Sequence, residues 1–287
     1  AATRRTPAPC RALGLHAQYR LMVITDLPSR TAWPGHHPVA FLPGSLPMGG
    51  VVPMTPVHAF DSVPAALQWQ ERPQLQPRRQ DIELGGLLAF VIDQVTTEDE
   101  ADAVVQASEQ CGYRDEAPGI ATPPGMRMNK SVHWVADPEL MNPLFARIAH
   151  LLPPVLDGEP LFQTFSHRIN MYRYDANDVF NRHTDGNWPG YSLSPDRSTM
   201  LEWGPELRSG LTMLLYLNGP ADGVIGGSTR LFSREGRHVD VEPVKGSALF
   251  FRHGFGFSSV VHEGCRVTGD MPKYVARINV MYGDAAR

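Results

Sequence analysis

Within the segment Phe180-Asn-Arg-His183-Thr-Asp185-Gly186, an imidazole and a carboxylate stand two residues apart. On a strand, or at its end, the period of two in side-chain direction sends both to one face. His262, in Val260-Val-His262-Glu-Gly264, offers a third ligand from far along the chain. Two histidines and one carboxylate make a facial set suited to a single ferrous ion, with three adjacent coordination positions left open for a cosubstrate and dioxygen. Alone, H-x-D is a weak signal: in a chain with eleven histidines it also arises by chance or as a surface hydrogen-bonded pair. Lys273 strengthens it. It opens the apolar run Lys273-Tyr-Val-Ala-Arg-Ile-Asn-Val-Met-Tyr282 and is one of only three lysines, with Lys130 and Lys245. A cation on the strand after the distal histidine can reach past the metal to the far carboxylate of a dicarboxylic acid. Arg277 lies on the same face by alternation and is the runner-up for that role.

These residues must be held by strands. Leu87 to Val95 reads as the first, followed by a capping box, Thr97 with Glu100, that opens a helix stopped by Gly112. A second helix is expected within Asp137 to Leu152. Short apolar or alternating runs then follow at His167 to Tyr174, Leu211 to Leu217, Thr229 to Ser233, His238 to Val244, Ser247 to Phe251 and Tyr274 to Tyr282, with turn residues between them. Two helices followed by many short strands predict an α+β, mainly β chain: a double-stranded β-helix, or jelly roll, backed by N-terminal helices.

Six blocks in order, from roughly Leu87 to Tyr282, carry a resemblance to the prolyl 4-hydroxylase-like branch of the 2-oxoglutarate and Fe(II)-dependent dioxygenases. They are Tyr172-Arg-Tyr174 with Phe180 before the H-x-D pair, Leu211-Thr-Met-Leu-Leu-Tyr216-Leu-Asn218, Gly226-Gly-Ser-Thr-Arg-Leu-Phe232, Gly246-Ser-Ala-Leu-Phe-Phe251, His262-Glu-Gly264 and Lys273-Tyr-Val-Ala-Arg277. The resemblance implies that His183, Asp185 and His262 hold Fe(2+). It further implies that Lys273 and Tyr216 hold the 2-oxoglutarate C5 carboxylate, that Thr212 lines that pocket, that Tyr174 lies near the acid, and that the glycine pair starts a substrate wall. The implied activity is hydroxylation of an unactivated C–H bond with O2, releasing succinate and CO2, with ascorbate as reductant. Asp185 closes the option taken by related halogenases, which keep Ala or Gly there. Where the family has glycine after the strand tyrosine this chain has Asn177, the other residue that commonly enters the left-handed region.

By the same resemblance the substrate is a prolyl residue in a peptide or protein. Two alternatives are a free amino acid or other small molecule taken by the same chemistry, and a cupin-like metal-binding domain without turnover, against which Lys273 and Tyr216 argue. Asn129, Trp188 and Arg230 are guesses as substrate contacts. The stretch from Gly186 to Gly210, with Trp188, Tyr191 and Trp203, reads as a lid or peptide platform, or as aromatics tucked onto their own domain. Each tyrosine named above can equally be a strand aromatic, Gly226-Gly227 a plain hairpin turn, and His133, His238 and His253 packing or surface residues.

Composition sets the outer limits. At 287 residues, 42% hydrophobic and 20% charged, the chain is globular and large enough for a sizeable core. A net charge of −4 and no lysine–arginine cluster make nucleic acid an unexpected partner. No apolar run is long enough to span a membrane. Cys10, Cys111 and Cys265 have no paired spacing, so neither a disulfide framework nor a thiolate metal site is expected. Residues 1–80 are rich in proline and arginine and poor in acids, and are expected to be a poorly ordered extension to a domain spanning 81–287. If that segment is a transit peptide the protein is organellar, and otherwise cytoplasmic.

Overall fold

The computed structural model describes residues 32–284. In chain order its elements are β1 (His36–Ser45), β2 (Val51–Phe60), β3 (Arg78–Asp81), β4 (Ala89–Asp93), α1 (Glu98–Cys111), β5 (Ala117–Pro118), β6 (Lys130–Val135), α2 (Pro138–Ile148), β7 (Val155–Leu156), β8 (Glu159–Phe165), β9 (Arg168–Tyr174), β10 (Phe180–His183), β11 (Tyr191–Leu193), β12 (Met200–Glu202), β13 (Arg208–Tyr216), β14 (Thr229–Phe232), β15 (His238–Val241), β16 (Ala248–Arg252), β17 (Val261–Gly264) and β18 (Lys273–Tyr282). The large sheet runs β3-β4-β16-β13-β18-β9-β6-β2-β1-β5, with β8 also on β18, and the small sheet runs β10-β17-β14-β15. Together they form the jelly roll.

Both helices lie on the outer face of the large sheet. In α1 the Thr97 hydroxyl accepts from Glu100 N at 3.2 Å while the Glu100 carboxylate accepts from Thr97 N at 3.0 Å, and Glu98, Asp99 and Glu100 put negative charge at the helix N-terminus. Arg147 of α2 reaches the buried Glu100 at 2.8 Å and joins the two helices. Pro143 sits inside α2 and cannot donate to Glu139 O. That carbonyl instead accepts from Trp69 N at 3.0 Å, so the proline leaves no unpaired group.

Alternation sorts each central strand between two cores. On β13, Leu211, Met213 and Leu215 pack outward with Ala101, Val104, Leu140 and Leu144 of the helices, whereas Leu214 and Tyr216 turn inward with Leu231, Leu249, Phe251 and Val275. Buried on both faces, the strand reads as an unbroken apolar run. On β18, Ala276, Ile278 and Val280 belong to the outer core. Lys273, Val275 and Arg277 therefore face the interior between the sheets.

The expectation of a poorly ordered chain up to residue 80 is corrected for residues 32–80. β1 and β2 pair antiparallel, β2 joins β6 in parallel, and Val57, Ala59 and Phe60 are fully buried. The prolines had argued against strands, but Pro43 and Pro53 fall where the β1–β2 register skips between Leu42 and Gly44, a bulge that tolerates a missing donor. The transit-peptide reading and Cys10 lie outside the described residues. Cys111 and Cys265 are free, and among the described residues no helix is long and apolar enough to cross a membrane.

Candidate metal and anion site

Phe180 pairs with Gly264 and His183 with His262 across β10 and β17, bringing residues distant in sequence face to face. Asp185 follows directly after β10. Ligand atoms of His183, Asp185 and His262 all lie within 4.8 Å of one another. His183 Nε2 is 3.8 Å from Asp185 Oδ1, and His262 Nε2 is 3.9 Å from Asp185 Oδ2. Each imidazole gives its Nδ1–H to a backbone carbonyl, His183 to Asn181 O at 2.7 Å and His262 to Val260 O at 3.2 Å. That fixes the tautomer and leaves both Nε2 lone pairs facing the carboxylate. Phe180 stacks on the His183 ring at 3.7 Å between centroids, and Phe251 lies 4.3 Å from the His262 ring.

Electrostatics favours the ligand forms of all three groups. Burial lowers the His183 pKa, and burial together with the neighbouring His183 pushes His262 down to about 3, so both rings are neutral near pH 7. Burial opposes ionisation of Asp185, but the Arg277 guanidinium and the two histidines outweigh it and hold the carboxyl well below its usual range. Arg277 Nε donates to Asp185 Oδ2 at 2.9 Å and Thr212 Oγ1 donates to the same oxygen at 2.6 Å. Oδ1 is left toward His183. A chain of hydrogen bonds extends from there: His253 Nδ1 gives to Thr212 Oγ1 at 2.7 Å, and Ser209 Oγ gives to His253 Nε2 at 2.8 Å. The donor set fits a ferrous ion held by two neutral imidazoles and one monodentate carboxylate.

At the other end of the cavity stands Lys273, 1% exposed. Lys130 pairs with Asp175, and Lys245 with Asp102 and Asp222. Lys273 forms no ion pair among the described residues. Its Nζ donates to Gly227 O at 2.5 Å and lies 5.1 Å from the Tyr174 ring and 5.5 Å from the Tyr216 ring. Burial pushes its pKa down to about 8. A buried cation facing a cavity without a counter-charge is a cradle for an anion. Gly227 takes φ +72 and would bring a Cβ within 3.0 Å of the Lys273 side chain, so the glycine pair makes room for the lysine as well as starting β14.

The remaining expected residues fall into place unequally. Tyr174 lines the cavity beside Lys273, and Tyr216 gives its hydroxyl to Thr229 Oγ1 at 2.8 Å. Thr212 does not line the anion end. Four residues separate it from Tyr216 on β13, about 13 Å of strand, and it serves Asp185 instead. The threonine at the cavity is Thr229, whose inward phase could have been read from its spacing to the apolar Leu231. Arg277 is taken up by Asp185. Arg230, one residue out of phase with Thr229, pairs outside the cavity with Asp240 at 2.6 Å and Glu263 at 3.4 Å. Asn129 is fully buried away from it, giving its amide to Lys130 O and receiving Arg127 on its carbonyl. Trp188 lies beyond Asp185 in a second, smaller pocket with Tyr191. Tyr172 also lines the main cavity. His253 proves to be a core histidine, although one that reaches Asp185 through Thr212. Asn177 adopts φ +73, as its place in the turn predicts.

Residues 169–281 match the family model described as the 2OG-Fe(II) oxygenase superfamily. No curated protein matches the chain. Among solved structures it is similar to a viral collagen prolyl hydroxylase from Paramecium Bursaria Chlorella virus-1 (16% identity, 71% of this chain and 99% of that one, TM-score 0.46). It is also similar to a Pseudomonas putida prolyl-4-hydroxylase (17%, 69% and 93%, 0.44). A third is a Trichoplax adhaerens prolyl hydroxylase in complex with a hypoxia inducible factor peptide fragment (17%, 69% and 84%, 0.48).

Proposed function

We propose that this chain, whose residues 169–281 match the 2OG-Fe(II) oxygenase superfamily model, is a 2-oxoglutarate-dependent dioxygenase that hydroxylates an unactivated C–H bond of a prolyl residue in a peptide or protein. The observation that carries the oxygenase reading is a His-Asp-His set with both Nε2 atoms free, facing an unneutralised buried lysine across one cavity. A metal-binding module without turnover has no use for that lysine.

His183, Asp185 and His262 would hold Fe(II), and Lys273 with Tyr174 would hold the C5 carboxylate of 2-oxoglutarate, while Tyr216 and Thr229 support the lysine's surroundings. Bound there, Fe(II) would supply the chemistry by which O2 and 2-oxoglutarate give a hydroxylated C–H bond, succinate and CO2. Arg277 and Thr212 keep Asp185 ionised and fix which of its oxygens faces the metal position. The apolar walls Leu214, Val275 and Phe180 exclude water from the site. Ascorbate would serve as reductant. The peptide assignment rests on the resemblance to prolyl hydroxylases, not on the geometry of the site.

Succinate release from 2-oxoglutarate with Fe(II) and ascorbate, compared between wild type and His183→Ala, tests the reaction. Loss in the variant is expected, and equal release would remove the metal site. Mass spectrometry of a peptide library after incubation should show +16 Da on proline. A shift confined to free amino acids would replace the peptide reading with the small-molecule one.

A further inference from the structure

Past Arg277 the inner face of the large sheet continues into a second pocket, lined by Ile120, Arg168, Asn170, Trp188, Tyr191 and Asn279. We propose that this pocket is the substrate subsite and that it takes a carboxylate of the substrate on Arg168. This inference rests on the oxygenase reading above and adds the chemical class of its substrate.

Arg277 lies opposite Asn170 in the β9–β18 register, and Arg168 and Asn279, each two residues from that pair on its own strand, line the same pocket as Asn170. Asn279 is two residues beyond Arg277, about 7 Å along β18, and Trp188 is three residues beyond Asp185. The pocket therefore adjoins the metal position on the side away from Lys273, where the 2-oxoglutarate cradle leaves room for a second molecule.

Arg168, Asn170 and Asn279 are 7%, 8% and 7% exposed. Nη2 of Arg168 gives to Pro118 O at 2.7 Å and to His133 Nδ1 at 2.8 Å, while its Nε has no partner and no carboxylate pairs with it among the described residues. Accepting at Nδ1 leaves His133 with its proton on Nε2, and that buried atom is also unpartnered. The Asn170 and Asn279 Oδ1 atoms lack partners as well. Buried polar groups ordinarily find partners, and an unpaired Nε on a buried, unneutralised guanidinium with two unpaired amide oxygens lining the same pocket describes a place for an anion that carries hydrogen-bond donors beside it. A carboxylate flanked by an amine or amide N–H has that pattern. It is found in a free amino acid, and in an acidic residue of a peptide.

Anaerobic calorimetric titration of the full chain, with Fe(II) and 2-oxoglutarate present, separates the two sources. One pair of ligands is L-proline against L-prolinamide, and the other is Ac-Ala-Pro-Glu-Ala-NH2 against its Gln counterpart. Wild type should bind the acid of one pair about tenfold or more tighter than the amide, the ordinary worth of a hydrogen bond to a charged group, and the pair that shows the preference names the source. In Asn279→Asp the new carboxylate faces Arg168 and the acid-over-amide ratio should fall to about one; Arg168→Gln should do the same. A ratio of one in both pairs for wild type, no binding of any of the four, or a ratio that survives both substitutions overturns the proposal. Wild-type succinate release is measured alongside. Release without an acid preference sinks the subsite alone, whereas an acid preference without release keeps the subsite and sinks the oxygenase reading.

Discussion

His183 and Asp185 come from the end of a short strand and the turn after it, with side chains 14% and 13% exposed. Lys273, Tyr216 and Thr229 sit in the middle of the double-sheet interior, each no more than 2% exposed. Both ends of one cavity are thus built from polar residues, but the metal end reaches the rim through His183 and Asp185, with His262 alone of the three buried, whereas the lysine end lies wholly in the core. A ligand at the rim can be lost with little cost to packing. A cation in the core costs stability in the free protein and recovers it only when an anion arrives. The two ends should accordingly respond differently to mutation and to pH.

The sharpest contrast lies at the metal end. His262→Ala or Asp185→Ala should lower succinate release by more than the roughly 100-fold that follows loss of an outer partner of a metal ligand, with iron binding lost in parallel by equilibrium dialysis. Retained iron binding would break the comparison at its first term.

At the other end the largest effect is on stability. The unfolded chain keeps the lysine proton up to about 10.5, while folded Lys273 releases it at about 8, so between those values the unfolded state binds more protons and stability rises with pH. Below pH 8 the charged, buried lysine carries the full cost. Urea unfolding of wild type minus Lys273→Met should gain about 3 kcal/mol between pH 8 and pH 10.5. A flat difference would mean that Lys273 is not buried as described. Lys273→Ala should raise the 2-oxoglutarate concentration needed by about 100-fold while leaving iron affinity within a few-fold, and the reverse pattern would show the anchor misassigned.

Smaller effects sharpen the division. Thr212→Val removes one of the two donors that aim Asp185, and should lower iron affinity about tenfold with the 2-oxoglutarate KM unchanged. Thr97→Ala breaks the cap of α1 behind the large sheet and should cost about 1 kcal/mol by thermal unfolding without altering any binding constant.

What could be read without coordinates follows the same line. The cluster of His183, Asp185 and His262 and the place of Lys273 in the same cavity were legible because the chemistry read from them needs particular residue types at particular strand spacings, and the central strands because Leu211 to Leu217 and Lys273 to Tyr282 are apolar on both faces. Thr212 was misplaced because a strand block carries direction but not distance, and two residues on one face can serve groups about 13 Å apart. Arg230 failed on phase. β1 and β2 were hidden by prolines whose bulges exist only in a paired sheet. Arg168 is not legible as a pocket residue, because an arginine in an apolar strand gives no sign of whether its partner is protein or ligand.

β18 carries Lys273, Val275, Arg277 and Asn279 toward the interior and Ala276, Ile278 and Val280 toward the helices. A slip of one residue in its pairing would exchange the two sets, burying cations beneath the helices and presenting a greasy wall to the His-Asp-His cluster. No half-correct version of this sheet keeps the cavity, so the proposed succinate release doubles as an assay of folding fidelity: any preparation that gives it has aligned β18 to the residue.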